Sequence, residues 1–251
     1  MSPIVFFGTE DHSLVALNAL FDAGFPIALI VTKPDSAKGR GKKTSAPPVK
    51  TFALEHNIPV LQPTKLSEII PTVSALDSPI GVLVSFGKII PQSILDLFTP
   101  GIINLHPSLL PLYRGPSPIE SAIANRDAKT GVTIMKLEAK MDAGPIYFQT
   151  PYALDFTETR PELYDTLFTL GANLLVAHLP RIASGELAPT AQNEADATYC
   201  HLLSKDDSHL DLDRLTPGEA EARIRAHLGF PRSRISIGPY GLIVTRAHGV
   251  M

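Results

Sequence analysis

A chain of 251 residues, 44% hydrophobic and 19% charged, has the material for one main domain with a sizeable core and an appendage. Its net charge of -3 and pI near 6.2 exclude a surface that is basic throughout, so any contact with nucleic acid must be local. The single cysteine, Cys200, excludes an internal disulfide; with no charged segment leading into a long apolar run near Met1 and no apolar run of about 18 residues, the expectation is a soluble, cytoplasmic, monomeric protein with no membrane partner.

The first half alternates short apolar runs with helical patterns. Ile4 to Phe7 reads as a buried strand, Ser13 to Ala23 as a helix with Leu14, Leu17 and Leu20 on one face, and Ile27 to Thr32 as a second strand, which together make a βαβ unit. A Gly-, Lys-, Pro- and Ser-rich loop spans 33–48 and precedes a helix near Val49 to His56 and a short strand at Val60. A helix near Leu66 to Leu76, a strand from Ile80 to Phe86, a short helix near Ser93 to Phe98 and a strand from Ile102 to Leu105 follow. This alternation predicts an open, mainly parallel sheet with helices on both faces.

From Thr130 the pattern changes: Val132 to Leu137 and Ile146 to Ala153 read as an edge pair joined by the tight Met141 to Pro145 connection. A helix from about Glu162 ends at Ser184-Gly185. The expected division is 1–185 as the catalytic domain, 186–215 as a linker and 216–251 as a short C-terminal region. That last part holds a helix from Pro217 to Leu228 and a hairpin, Arg234 to Ile237 with Leu242 to Arg246.

Several familiar motifs fail. The strand before Gly8 lacks the further glycines of a dinucleotide site, and Ser36 to Lys43 has neither the first glycine nor the terminal Ser or Thr of a phosphate-binding loop. Cys200, His201 and His209 do not complete a four-ligand set, so no metal is expected.

The stretch Ile103 to Gly115 (INLHPSLLPLYRG) carries the chemistry. Asn104 and His106, two apart at a strand end, share a face at the carboxyl edge where open α/β sheets bind ligands. An amide that stabilises an oxyanion beside an imidazole that manages a proton is what acyl transfer to an amine requires, and Asp142 is the carboxylate placed to orient that imidazole. Taken singly, Asn104 also reads as a turn residue, His106 as a core histidine, Asp142 as a turn cap and Arg114 as a solvated loop cation.

With Phe7-Gly8-Thr9, the loop from Lys33 to Lys50, Val84 to Gly87 with Ile90-Pro91, the Asn104 to Gly115 block and Gly131 to Met135 leading to Asp142-Ala143-Gly144, the sequence resembles the folate-dependent formyltransferase family, over nearly all of residues 4–228. The resemblance implies a Rossmann-like catalytic domain, Asn104, His106 and Asp142 as catalytic residues, and 10-formyltetrahydrofolate as formyl donor. It places the folate against Ser85, Phe86, Gly87, Ile89 and Ile90 and against Ser108, Leu109, Leu110 and Pro111. The basic loop resembles the insertion with which members acting on initiator methionyl-tRNA grip the acceptor end, implying a tRNA-binding set of Lys38, Arg40, Lys42 and Lys43 and a place in translation initiation. Sugar-nucleotide N-formyl transfer, and a reduced folate- or tRNA-binding module, are the alternatives. Two departures stand out: Glu10-Asp11-His12 replaces the usual Pro-Asp-Phe, and where the resemblance implies a β-barrel of about 100 residues after the linker, the residues from about Thr216 are expected to form only a shortened, truncated-barrel-like region with at most one hairpin.

Overall fold

The computed structural model describes residues 2–38 and 43–248. Its main sheet runs in the order β5-β2-β1-β6-β7-β8-β9, from β1 (Ile4–Gly8), β2 (Ile27–Val31), β5 (Val60–Leu61), β6 (Ile80–Val84), β7 (Ile102–His106), β8 (Lys129–Lys136) and β9 (Ile146–Ala153). The first five in that order are mutually parallel, and β8 turns antiparallel to β7, with His106 opposite Thr133. The expected open, mainly parallel Rossmann-like α/β sheet is the observed one.

The chain divides into two compact units. The first comprises Met1–His106, Thr133–Gln149 and Phe168–Gln192; the second comprises Pro107–Val132, Thr150–Leu167 and Asn193–Met251. In the first unit, α1 (Asp11–Asp22) buries Ala16, Leu17 and Leu20, and α2 (Pro48–Glu55) buries Val49, Phe52 and Ala53. Val5 and Phe7 join a second apolar layer with Ile69 and Val73 beside and within α3 (Ile70–Ser74), Ile94 and Leu95 of α4 (Gln92–Leu95), Phe86 and Phe98. Phe7 meets the rings of Phe86 and Phe98 edge-on at 5.5 and 5.8 Å. Each such fully buried side chain contributes about 1.5 to 3 kcal/mol of apolar burial, which makes the strands the rigid frame from which site residues project.

Local departures from the sequence expectation have local causes. The helix expected over 66–76 is a 3-10 turn, Leu66–Ile69, followed by the short α3, because Pro71 lacks the N–H that would bond the carbonyl of Ser67. The 33–48 loop contains two paired three-residue strands, β3 (Ser36–Lys38) and β4 (Lys43–Ser45). The long helix α6 spans Arg160–Ala183.

In the second unit, α5 (Pro118–Ala124) packs with α7 (Pro217–Ala226). Helix α5 was not anticipated, although Pro118 at its first turn and Ile119, Ala122 and Ile123 on one face are ordinary helix signals. Thr216 and Glu219 close α7 with a reciprocal capping box, Thr216 N–H donating to Glu219 at 2.8 Å. The C-terminal hairpin pairs β10 (Arg234–Ile237) with β11 (Tyr240–Ile243), so its turn is tighter than expected: only Gly238 and Pro239 lie between the Ile237–Tyr240 pair. Among the described residues no helix is long and apolar enough to cross a membrane.

Candidate active site

The sheet fixes where a ligand can reach. The chain runs outward from β1 to β2 and β5 and then crosses to the other side of β1 for β6 and β7, so the strand order reverses between β1 and β6, the place where open α/β sheets bind ligands at their carboxyl ends. Thr9 Oγ donates to the carbonyl of Phe86 at 3.1 Å, and Ser13 Oγ to the carbonyl of Val84 at 2.7 Å while accepting the Thr9 N–H at 3.1 Å. These bonds tie the two strand ends together. The segment leaving β6 turns sharply, with Ser85 and Gly87 at φ of 48° and 68°.

Asn104 and His106 project from the end of β7 and are 5% and 4% exposed, so neither is spent on bulk water. The connection between β8 and β9 brings Asp142 to them: its carboxylate oxygen lies 3.8 Å from His106 Nδ1. That is ion-pair range and longer than a hydrogen bond. The turn carrying Asp142 is held by its backbone. Gln192 donates its side-chain amide to the carbonyls of Asp142 at 2.8 Å and Gly144 at 2.7 Å. Position 144 has to be glycine because a Cβ there would run into the carbonyl of Lys136, whose N–H bonds the carbonyl of Pro145 at 2.9 Å. Opposite His106, the Thr133 hydroxyl accepts from Gln149 at 2.9 Å, which secures the strand beside the imidazole.

The remaining expected residues fall in several environments. Phe86 and Ile90 are buried in the second apolar layer, whereas Ile89 is 84% exposed. Ser108 and Leu110 are buried in the second unit, in the segment that follows His106 directly, and the Ser108 hydroxyl donates to the carbonyl of Leu112 at 2.7 Å. Leu109 and Pro111 are half-buried. Of the basic set, Lys38 and Lys43 are backbone partners at the ends of β3 and β4, while Arg40 and Lys42 lie outside the described residues. Asp35, in the same loop, is held below the usual carboxylate range by Lys50 at 2.9 Å and by the amide of Gln62. His12, one of the departures from the family pattern, stacks on Phe168 with ring centroids 5.1 Å apart.

Two features escaped the sequence reading. Gln192 is 50 residues from the turn it clamps, and no local pattern marks it. Arg114, open as a solvated cation, is fully buried: it pairs with Glu194 at 2.7 Å and donates to the Tyr199 hydroxyl at 3.1 Å, fastening 194–199 to the Tyr113–Gly115 turn.

An amide and an imidazole at one strand end, with a carboxylate brought to the imidazole, are the groups that acyl transfer requires. The sequence pattern of the formyl transferase family matches residues 3–179, and the chain belongs to that family. Methionyl-tRNA formyltransferase of Chloroflexus aurantiacus is 44% identical over 210 residues, 83% of this chain and 68% of that protein. The methionyl-tRNA formyltransferase of Marinobacter nauticus is 37% identical over 246 residues, covering 97% of this chain and 79% of that protein. Among solved structures, the N-formyltransferase from Helicobacter canadensis, in complex with folinic acid and dTDP-3-aminofucose, superposes with a TM-score of 0.75 at 21% identity over 95% of this chain and 85% of that one, a likeness of fold.

Proposed function

We propose that this chain transfers the formyl group of 10-formyltetrahydrofolate to the amino group of methionyl-initiator tRNA. The observation that carries the chemistry is the approach of the Asp142 carboxylate to within 3.8 Å of His106 Nδ1 at the end of the strand bearing Asn104. The acceptor follows from the 37 to 44% identity to methionyl-tRNA formyltransferases over most of the chain.

On this reading the methionyl amine attacks the formyl carbon, a C–N bond forms, and the carbonyl oxygen becomes an oxyanion. Asn104 Nδ2 donates to that oxygen. Asp142 faces Nδ1 of His106 and so turns Nε2 toward the reacting atoms, where the imidazole carries the proton released by the amine. As the tetrahedral centre collapses, the bond from the formyl carbon to folate N10 breaks and the proton ends on N10, leaving tetrahydrofolate and formylated methionyl-tRNA. Ser85, Phe86, Gly87, Ile89 and Ile90 with Ser108 to Pro111 hold the folate, residues 1–185 supply the chemistry, and Lys38, Arg40, Lys42 and Lys43 meet the phosphates of the acceptor end. No metal takes part in these steps.

The test is formyl transfer from 10-formyltetrahydrofolate to methionyl-tRNA, measured beside transfer to an amino-sugar nucleotide. Turnover with the charged tRNA supports the proposal; turnover with the sugar nucleotide alone overturns the acceptor, and turnover with neither overturns the reaction.

A further inference from the structure

A second cavity, of about 500 Å³, lies wholly in the second unit, away from Asn104, His106 and Asp142 in the chain, and is lined by Asn125, Arg126, Phe156, Thr216, Glu219 and Arg223. Its volume suits a nucleotide-sized ligand. Two guanidiniums converge on it, and among the described residues neither Arg126 nor Arg223 is engaged in an ion pair or side-chain hydrogen bond. Arg126 sits in a left-handed backbone conformation, φ 55°, just after α5. Its guanidinium rests against the first turn of α7 because residue 218 is glycine: a Cβ there would lie 2.6 Å from Arg126 Nη1. Phe156 adds a ring that is 45% exposed, also on a left-handed backbone, φ 70°.

The lone acid of the cavity is already committed. Glu219 accepts the N–H and hydroxyl of Thr216 at 2.8 and 2.7 Å, and these bonds, with the nearby charges of Arg223 and Arg126, hold it below the usual carboxylate range. Two cations against one carboxylate leave a net positive site. Guanidinium forks match phosphate oxygens, and an exposed ring beside them matches the face of a base.

We infer that this cavity binds an unpaired nucleotide of the RNA substrate, its phosphate on Arg126 and Arg223 and its base against Phe156. The assignment rests on the tRNA reading of the active site, and it makes the second unit an RNA contact independent of the 38–43 loop.

The test follows the equilibrium binding of tRNA to the full chain across a salt series by fluorescence anisotropy, with AMP as a separate small probe. Arg126→Gly, which suits the left-handed backbone, and Arg223→Ala should each weaken tRNA binding and lower the log-log salt slope by roughly 0.7 to 0.9. Phe156→Leu should weaken binding with the slope unchanged. Glu219→Gln keeps the capping box and removes the opposing charge, so it should tighten binding, a direction that loss of structure would not produce. Unaltered thermal denaturation and 5-formyltetrahydrofolate binding certify each variant's fold. A wild-type slope in both arginine variants, or weaker binding in Glu219→Gln, overturns the inference. So does AMP binding that these substitutions alter when tRNA binding is untouched, because the site then serves a free nucleotide. If the wild-type chain transfers formyl to methionyl-tRNA and the slopes still do not move, the cavity assignment alone has failed; if it does not transfer, the functional reading has.

Discussion

The side-chain amide of Gln192 donates to the carbonyl of Asp142 at 2.8 Å and, through the same nitrogen, to the carbonyl of Gly144 at 2.7 Å. The turn that carries the carboxylate facing His106 is therefore clamped through its backbone by a side chain 50 residues away. Replacing Gln192 with Leu should lower kcat between about ten- and a hundredfold while moving KM for methionyl-tRNA little, since what is lost is orientation of the imidazole's partner. Steady-state kinetics check it: a rise in KM at constant kcat would remove Gln192 from this positioning role.

The proposed catalytic set makes a stronger demand. Asn104→Ala and His106→Ala should each cut turnover by at least about a hundredfold with folding intact, as should loss of the Asp142 carboxylate. Groups acting on one transition state are not additive, so changing His106 and Asp142 together should cost little more than changing His106 alone. Single-turnover rates measure this, and near-normal turnover in any single variant would strike that residue from the set.

The proposed role of the basic loop is contact with the acceptor's phosphates. Changing Arg40, Lys42 and Lys43 together to Ala should raise KM for methionyl-tRNA and flatten its salt dependence, each lost phosphate contact removing roughly 0.7 to 0.9 from the log-log slope, with folate affinity unmoved. An unchanged KM and slope in the triple variant would favour an acceptor without a phosphate backbone.

A pH effect is expected from the second unit, at His227. His227 caps the end of α7, is 6% exposed, and contacts Ser233 Oγ through Nδ1 at 3.2 Å. Burial, and then Arg223, push its pKa below the usual histidine value, while Asp207 and Glu120 pull the other way. Because the folded state disfavours the proton, the neutral imidazole's contribution to stability is complete above about pH 6.5 and is lost as pH falls from there toward the depressed folded value. The thermal midpoint should decline on going from about pH 7 to about pH 5, and His227→Gln should flatten that decline. A midpoint that holds steady over this range in the unaltered chain would contradict the assignment.

Much of this was legible in the sequence for a definite reason. Strand-helix alternation through residue 106 records burial on both faces of a parallel sheet, and a two-residue offset at a strand end puts Asn104 and His106 on one face whatever else the chain does. Asp142 was reachable because its turn is short and closed by Gly144. What stayed hidden depends on long-range packing: Gln192 meets its turn from another part of the chain, and Arg114 owes its burial to Glu194 and Tyr199, some 80 residues on. Charge alone made Arg114 look like a solvated side chain.

Asp142 has a positive φ of 48°, a conformation that asparagine and glycine tolerate and most side chains do not. On the proposed mechanism position 142 is filtered twice, once by backbone geometry and once by chemistry. A library randomised there and sorted for folded protein should return chiefly Asp, Asn and Gly, and the same library sorted for formyl transfer should return Asp. Asn is the replacement that separates the two filters, since it keeps the left-handed turn and discards only the negative charge, whereas Ala disturbs both at once.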